Sequence, residues 1–222
     1  MAMQAALTEP SARAGVEAYV PERSLLVAAI LSMSGGFLDA FTWLSLGVFA
    51  SSQTGNVVFL GVYVLSGQWQ RALHHLLPLA AFVLGAVVAV RTRAVLGCLV
   101  GEIVCLTAAL LLLHRAPDQI VILGISFGVA LQSASFRQVG RWKYLSVTVT
   151  GNMLRAIDQF VDASDPEAAS GAGTMLMLCL MFLLGAAAGG CVTKWLGTWS
   201  LALPIASSMS VLWLCRRRNH PR

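Results

Sequence analysis

Six apolar runs, each long enough to cross a bilayer as a helix, dominate the hydrophobic pattern of this chain. A helix that crosses the hydrocarbon core needs about 20 mostly apolar residues. The runs are separated by short segments that hold most of the charged residues. The pattern therefore predicts an all-α integral membrane protein with six transmembrane helices, at Leu25–Leu46, Leu73–Val90, Ala94–Leu113, Gln119–Phe136, Thr174–Thr193 and Trp195–Cys215.

Two further segments, Thr54–Ser66 and Tyr144–Val161, do not fit this pattern. The first is too short to cross a core of about 30 Å at 1.5 Å per residue. The second contains Arg155 and Asp158, which are costly at the centre of a membrane. Each segment could be re-entrant, interfacial or spanning, and hydropathy alone leaves these alternatives open.

The distribution of basic residues favours the six-span topology. If neither ambiguous segment spans, twelve Lys and Arg residues lie on one side and three, Arg71, Arg115 and Lys194, on the other. If both segments span, the division is eight against six, and Arg155 lies inside the membrane. Because basic residues are retained in the cytoplasm, the uneven division predicts that both termini are cytoplasmic. The expected parts are a flexible tail at residues 1–23, one transmembrane domain at 24–215 and a basic tail at 216–222.

Composition agrees with this class of protein. The 222 residues are 57% hydrophobic and 11% charged, against about 25% charged in a typical soluble domain. The net charge of +5 comes mostly from residues beside the apolar runs, so it indicates contact with the lipid bilayer and not with nucleic acid. The five cysteines lie in or beside the apolar runs and are expected to be packing residues.

The chain also contains an internal repeat. Thr54-Gly55-Asn56 recurs as Thr150-Gly151-Asn152, and Phe82-Val83-Leu84-Gly85-Ala86 recurs as Phe182-Leu183-Leu184-Gly185-Ala186. The matches predict a first repeat at residues 24–114 and a second at 119–215. Three spans in each half would place the second half in the membrane upside down relative to the first. Matched interrupted segments in inverted repeats are typical of transporter substrate sites.

Several polar residues are candidates for a substrate or ion pathway. Asp39 and Glu102 are the acidic residues inside the predicted spans, and Gln132 is the approximate counterpart of Asp39. A charged side chain within a membrane is costly and faces the bundle interior or a wet cavity. The full candidate set is Asp39, Thr54, Gly55, Asn56, Glu102, Gln132, Thr150, Gly151 and Asn152. The alternative is that these residues only cap helices or support packing.

Two other patterns give no catalytic or metal site. Gly124-Ile125-Ser126-Phe127-Gly128 matches the G-x-S-x-G nucleophile pattern, but the two later spans contain no histidine that could act as the base. His74 and His75 are adjacent, point to different faces of a helix and are expected at the membrane interface. We therefore predict no enzyme activity, no cofactor and no metal.

The ordered motifs resemble those of a known family. Gly35-Gly36-Phe37-Leu38-Asp39-Ala40, Gln53-Thr54-Gly55-Asn56, Ala130-Leu131-Gln132-Ser133-Ala134 and Val149-Thr150-Gly151-Asn152 resemble the YoaK family. The resemblance covers nearly the whole chain after Arg23, although Ser133 stands where asparagine is expected. It implies a six-span protein of the bacterial inner membrane and supplies no reaction or substrate.

Two functions remain open at this point. The first is a transporter or channel for a small molecule or ion, built from the two inverted repeats, for which a homodimer is the expected assembly. The second is a non-transporting assembly or sensor protein whose polar residues serve helix packing. The repeat and the matched short segments favour the first.

Overall fold

The computed structural model describes residues 20–161 and 167–218, which form an almost entirely helical protein. Most of the N-terminal tail expected at residues 1–23 and the last residues of the basic tail lie outside the described residues. The helices are α1 Leu25–Leu46, α2 Gln53–Leu65, α3 Trp69–Thr92, α4 Val95–Leu112, α5 Asp118–Ser135, α6 Val149–Val161, α7 Ala168–Leu196 and α8 Ala202–Arg218. A small antiparallel hairpin of β1 Gln138–Val139 and β2 Trp142–Lys143 joins α5 to α6.

Five helical segments of the described chain are long and apolar enough to cross a membrane. This confirms an all-α fold in which several helices have the length and composition of membrane spans. Four segments correspond to the first four predicted spans, and the fifth, Ala168–Arg217, contains the last two predicted spans in one continuous helical stretch. A 3-10 turn at Gly197–Leu201 separates α7 from α8 within that stretch. Gly197 begins this turn at a φ of +55°, a backbone conformation that a side chain would strain.

Packing contacts show that α7 and α8 run in opposite directions. Gly185 and Gly189 of α7 approach Met33 and Phe37 of α1 in the same order, so α1 and α7 are parallel. The end of α8 packs instead against the start of α1, because Val211 and Cys215 share a cluster with Val27 and Leu31. Helix α8 is therefore antiparallel to α1 and returns along the bundle.

Glycines allow the closest helix contacts. A Cβ atom at Gly36 would lie 2.0 Å from the carbonyl oxygen of Phe182, and one at Gly185 would lie 1.9 Å from that of Met33. Helix α3 meets α5 in the same way, since a Cβ at Gly85 would lie 2.5 Å from the Phe127 carbonyl oxygen. Such close approaches increase the van der Waals contacts between membrane helices. These contacts matter because no hydrophobic effect drives helices together within lipid.

Helices α1, α4, α5 and α8 contribute side chains to the two apolar clusters in the interior of the bundle. Helix α7 packs outside α1 and α3 packs outside α5, while the short helices α2 and α6 pack on α3 and α7 respectively. One end of the bundle holds Arg23, the hairpin and the α3–α4 turn, and we call it the basic end. Its described basic residues include Arg91, Arg93, Arg137, Arg141, Lys143 and Arg216.

Candidate functional site

The first Thr-Gly-Asn tripeptide opens the short helix α2, and Asn56 fastens that helix to the chain before it. The Phe49 backbone N–H donates to Asn56 Oδ1 at 3.1 Å, and Asn56 Nδ2 donates to the Phe49 carbonyl oxygen at 2.7 Å. The Asn56 side chain is fully buried. We call this pair of hydrogen bonds, from one asparagine to both backbone groups of a residue seven positions earlier, an asparagine clasp.

The second tripeptide makes an asparagine clasp with the same geometry. The Leu145 backbone N–H donates to Asn152 Oδ1 at 3.2 Å, and Asn152 Nδ2 donates to the Leu145 carbonyl oxygen at 2.8 Å. Asn152 is also buried and lies in the first turn of α6. The repeated tripeptide therefore encodes the same local structure in both halves of the chain.

Each clasped helix is half of a helical hairpin. Helices α2 and α6 have 13 residues each. At 1.5 Å per residue each is about 20 Å long, which is shorter than a bilayer core. Helix α2 runs antiparallel to α3, with Tyr63 near Arg71 and Asn56 near His75. Helix α6 runs antiparallel to α7, with Val149 near Cys179 and Gln159 near Gly171. The loops before the short helices, residues 47–52 and 144–148, therefore dip into the bundle.

Asp39 holds the first of these loops. It lies about 10 Å from the Leu46 end of α1, at 1.5 Å per residue. Its Oδ1 accepts the Ser51 N–H at 2.7 Å, and its Oδ2 accepts the Ser51 hydroxyl at 2.8 Å and the Ser52 N–H at 3.1 Å. The Ser52 hydroxyl also donates to Oδ2. The carboxylate thus binds the backbone and side chains that immediately precede α2, where free N–H groups would otherwise be unpaired.

The second loop reaches the same side of α1 one helical turn away. A Cβ at Gly35 would lie 2.9 Å from Val147 Cγ1 and 3.7 Å from the Ser146 carbonyl oxygen. Gln132 of α5 holds this loop by donating from Nε2 to Ser146 Oγ at 3.2 Å. The two loops therefore converge on α1, the first at Asp39 and the second at Gly35, with about 6 Å of helix between them.

The remaining tripeptide residues do not point into this region. Thr54 and Thr150 are exposed on the surface of the described protein. Gly55 gives room to the Phe49 ring, which a Cβ would approach to 2.7 Å, and Gly151 lies against Thr148. The asparagines carry the polar contacts of the motif, while the threonines lie on the outside.

Glu102 is separate from the two loops. It lies near the middle of α4, is 1% exposed, and accepts a hydrogen bond of 2.9 Å from Ser208 Oγ of α8. Its backbone lies against Gly128 of α5. The structure therefore does not bring Glu102 together with Asp39 in one site.

His75 is buried against α2, a contact that the sequence analysis did not predict. Helix α3 begins at Trp69, four residues before the predicted start, so His75 lies in its second turn under α2. It is 4% exposed, and its Nδ1 lies 3.3 Å from Asn56 Oδ1. Its ring stacks on Phe59 at 5.0 Å and on Tyr63 at 5.6 Å between centroids. Only the antiparallel pairing of α2 with α3 brings His75 to Asn56, and the sequence alone does not specify that pairing.

Other contributing residues also escaped the sequence prediction. Ser51 and Ser52 bind Asp39, Ser146 binds Gln132 and Ser208 binds Glu102. Serines are frequent in membrane helices and loops, so their identity alone gave no signal. The buried acids and the glutamine did indicate that hydroxyl or amide partners must lie nearby.

Comparison with known proteins identifies a family without assigning an activity. A family model described as a protein of unknown function, DUF1275, matches residues 27–214. No curated protein matches the chain. No solved structure matches it either. The expectation of an uncharacterised family is confirmed, and the resemblance to YoaK stays a prediction.

Proposed function

This chain belongs to the DUF1275 family, and we propose that it is a small-solute transporter or channel of the bacterial inner membrane. In this proposal six transmembrane helices form two inverted three-helix repeats, each interrupted by one clasped short helix. Helices α7 and α8 count as separate spans because they run in opposite directions. The basic end faces the cytoplasm, as the positive-inside rule requires.

The observation that carries the proposal is the asparagine clasp made twice. Asn56 binds Phe49 and Asn152 binds Leu145 through the same two backbone groups. A short helix that starts inside a membrane bundle leaves backbone groups that lipid cannot satisfy. Irregular backbone at such depth is tolerated where it is buried in protein or lines a water-filled path, and paired interruptions are typical of solute transporters.

Packing between the halves supports the inverted repeat. Helix α1, the first of its half, packs on α7 through Gly36 and Gly185. Helix α5, the first of the other half, packs on α3 through Gly85. Within each half the short helix packs on the long helix that follows it, α2 on α3 and α6 on α7. Each of these helix pairs in one half thus has a counterpart in the other.

The proposed path runs between the two loops where they converge on α1. Asp39 and Gln132 fix the loops that precede α2 and α6. Backbone groups of such loops and helix N-termini provide hydrogen-bond partners for a polar solute. In this view Asp39 positions the first loop, and the asparagines keep both short helices at a fixed depth.

The alternative of a non-transporting protein is supported by one specific contact set. Both carboxylate oxygens of Asp39 are already occupied by Ser51 and Ser52. A side chain that is fully used for local structure needs no solute to explain its presence. On this alternative, replacing Asp39 would change stability, and neither the wild type nor the variant would move a solute.

Solute flux in reconstituted vesicles tests the proposal. Purified protein in liposomes is challenged with hyperosmotic glycerol, urea, alanine or sodium acetate, and re-swelling is followed by light scattering. We expect faster entry of at least one probe than in protein-free liposomes, and loss of that gain in Asp39→Asn at equal protein content. Asp118→Asn makes the same chemical change at an exposed position and should keep the flux. Entry rates equal to those of empty liposomes for every probe would favour the non-transporting alternative.

A further inference from the structure

The centre of the bundle contains a polar layer between two apolar clusters. On one side, toward the end opposite the basic end, Leu38, Leu106 and Leu201 belong to a large apolar cluster. On the other side Leu31, Leu99 and Val211 belong to a second apolar cluster. The buried polar residues of α1, α4 and α8 that fall between these clusters include Ser34, Glu102 and Ser208.

Helix geometry places these three side chains at one level. Leu31, Ser34 and Leu38 follow three- and four-residue spacing and so share one side of α1. Glu102 lies between Leu99 and Leu106 on the buried side of α4, and Ser208 donates to its Oε2. The antiparallel pairing of α1 with α8, fixed by Leu31 and Val211, brings Ser34 to the level of Ser208.

Ser34 has an unused hydroxyl in this layer. Its side chain is 5% exposed, and its Oγ has no hydrogen-bond partner among the described residues. A buried hydroxyl without a partner is unfavourable, and a serine in a helix usually donates to the carbonyl four residues earlier. The Ser34 hydroxyl therefore remains available to a ligand in the layer.

Glu102 also lacks a positive partner. Within the described chain Ser208 is its hydrogen-bond partner, and no basic side chain forms an ion pair with it. Helices α5 and α8 carry charged residues only at their ends, Asp118 and the arginines from Arg216 onward. The Cys105 thiol lies about one turn further along α4, and α1 contributes Asp39, which is bound to its own loop. An unpaired carboxylate at this depth requires a neutralising charge.

We propose that the layer of Ser34, Glu102 and Ser208 is a binding site for a monovalent cation, either Na⁺ held by the three oxygens or a proton carried on Glu102. One carboxylate and two hydroxyls are hard oxygen ligands, and the carboxylate neutralises one positive charge. The physiological role of this site, as the place where a driving ion would bind, rests on the proposed transport function. Its existence, however, can be tested without any transport measurement.

Carbodiimide labelling of the full-length protein tests the site. Dicyclohexylcarbodiimide enters membranes and reacts with protonated carboxyl groups, and mass spectrometry of peptides reads modification at Glu102. Protein in liposomes is labelled at constant ionic strength with choline chloride replaced stepwise by NaCl, between mildly acidic and mildly alkaline pH. Decreasing labelling with NaCl at fixed pH indicates Na⁺. Decreasing labelling with rising pH, independent of NaCl, indicates a proton.

Serine variants separate the site from general packing. Ser34→Ala and Ser208→Ala each remove one oxygen, so about tenfold more NaCl should be needed for half-protection, a loss that corresponds to one weakened ligand. Ser210→Ala, on the exposed side of α8, should behave as the wild type. For a proton site, Ser208→Ala should shift the pH of half-labelling while Ser210→Ala does not.

Two results would overturn the proposal: no labelling of Glu102 at any pH, or labelling that neither NaCl nor pH changes. Protection by Na⁺ in a protein that moves no solute would retain the site and reject the transport function. Solute flux without labelling of Glu102 would support the transport function and reject the cation site.

Discussion

Removing either asparagine clasp should destabilise the protein by a similar amount. Asn56→Ala leaves the Phe49 N–H and carbonyl without their partners, and Asn152→Ala does the same to Leu145. A buried polar group left unsatisfied costs about 1–3 kcal/mol, so two groups cost about 2–6 kcal/mol. Phe49 and Leu145 are only half-buried, which places both values in the lower half of that range.

The free energy of unfolding can be measured by titrating detergent-solubilised protein with sodium dodecyl sulfate. Tryptophan fluorescence is a suitable signal, because Trp43 stacks on Phe49 with ring centroids 4.8 Å apart. Thr54→Ala and Thr150→Ala are matched controls, since each changes an exposed side chain two positions before the asparagine. These controls should remain within about 0.5 kcal/mol of the wild type.

The conservative variant Asn56→Asp separates the two hydrogen bonds of the clasp. It keeps an acceptor for the Phe49 N–H but loses the donor to the Phe49 carbonyl. We therefore expect a stability at or below that of Asn56→Ala, because two acceptors would face each other. Wild-type stability in either alanine variant would refute the role of that clasp. A loss in only one half would show that the two clasps are not equivalent.

Two further predictions concern packing and topology. Gly185→Ala should strongly reduce the yield of folded protein, because its Cβ would lie 1.9 Å from a backbone carbonyl oxygen. The control Gly190→Ala should fold normally, because its Cβ would meet no atom within 4 Å. Equal yields of the two variants in size-exclusion chromatography would contradict the α1–α7 contact. Alkaline phosphatase fused after Gln70 should be active and fused after Arg93 inactive, since the latter lies at the basic end; activity at Arg93 would exclude the proposed orientation.

The sequence predicted the helices well because the bilayer imposes a local length requirement. The runs at Leu25–Leu46 and Asp118–Ser135 are helices within a residue of the predicted bounds. Boundaries failed where helices continue beyond the apolar core. Helix α3 starts at Trp69 and α7 at Ala168, each earlier than predicted, because water-exposed turns can extend a helix without changing its hydropathy.

The repeated tripeptide was the strongest signal for the site, and it indicated the asparagines but not their partners. A capping role was expected at the first turn of α2 and α6. The structure instead has Asn56 and Asn152 bind backbone seven residues upstream. Loop conformation determines this distance, and no periodicity in residues 47–52 specifies it.

Partners from distant helices were beyond prediction for a different reason. Ser208 binds Glu102 from 106 residues away, and only the three-dimensional arrangement of α4 and α8 brings them together. A single sequence contains no record of that pairing. Asp39 was recognisable as a buried acid, yet its neighbours Ser51 and Ser52 depend on the inward turn of residues 47–52.

The partnership of α1 with α7 has a consequence for how the protein is made. Gly36 of α1 packs against the backbone of Phe182 in α7. The ribosome synthesises Phe182 only after most of the chain has entered the membrane. Asp39, in contrast, finds Ser51 within 12 residues. During biosynthesis the Asp39 carboxylate of the first helix can therefore find its hydrogen-bond donors at once, in the loop that follows the helix. Its principal helix partner, α7, is synthesised late, and only α8 follows it, so the bundle closes only when synthesis is nearly finished.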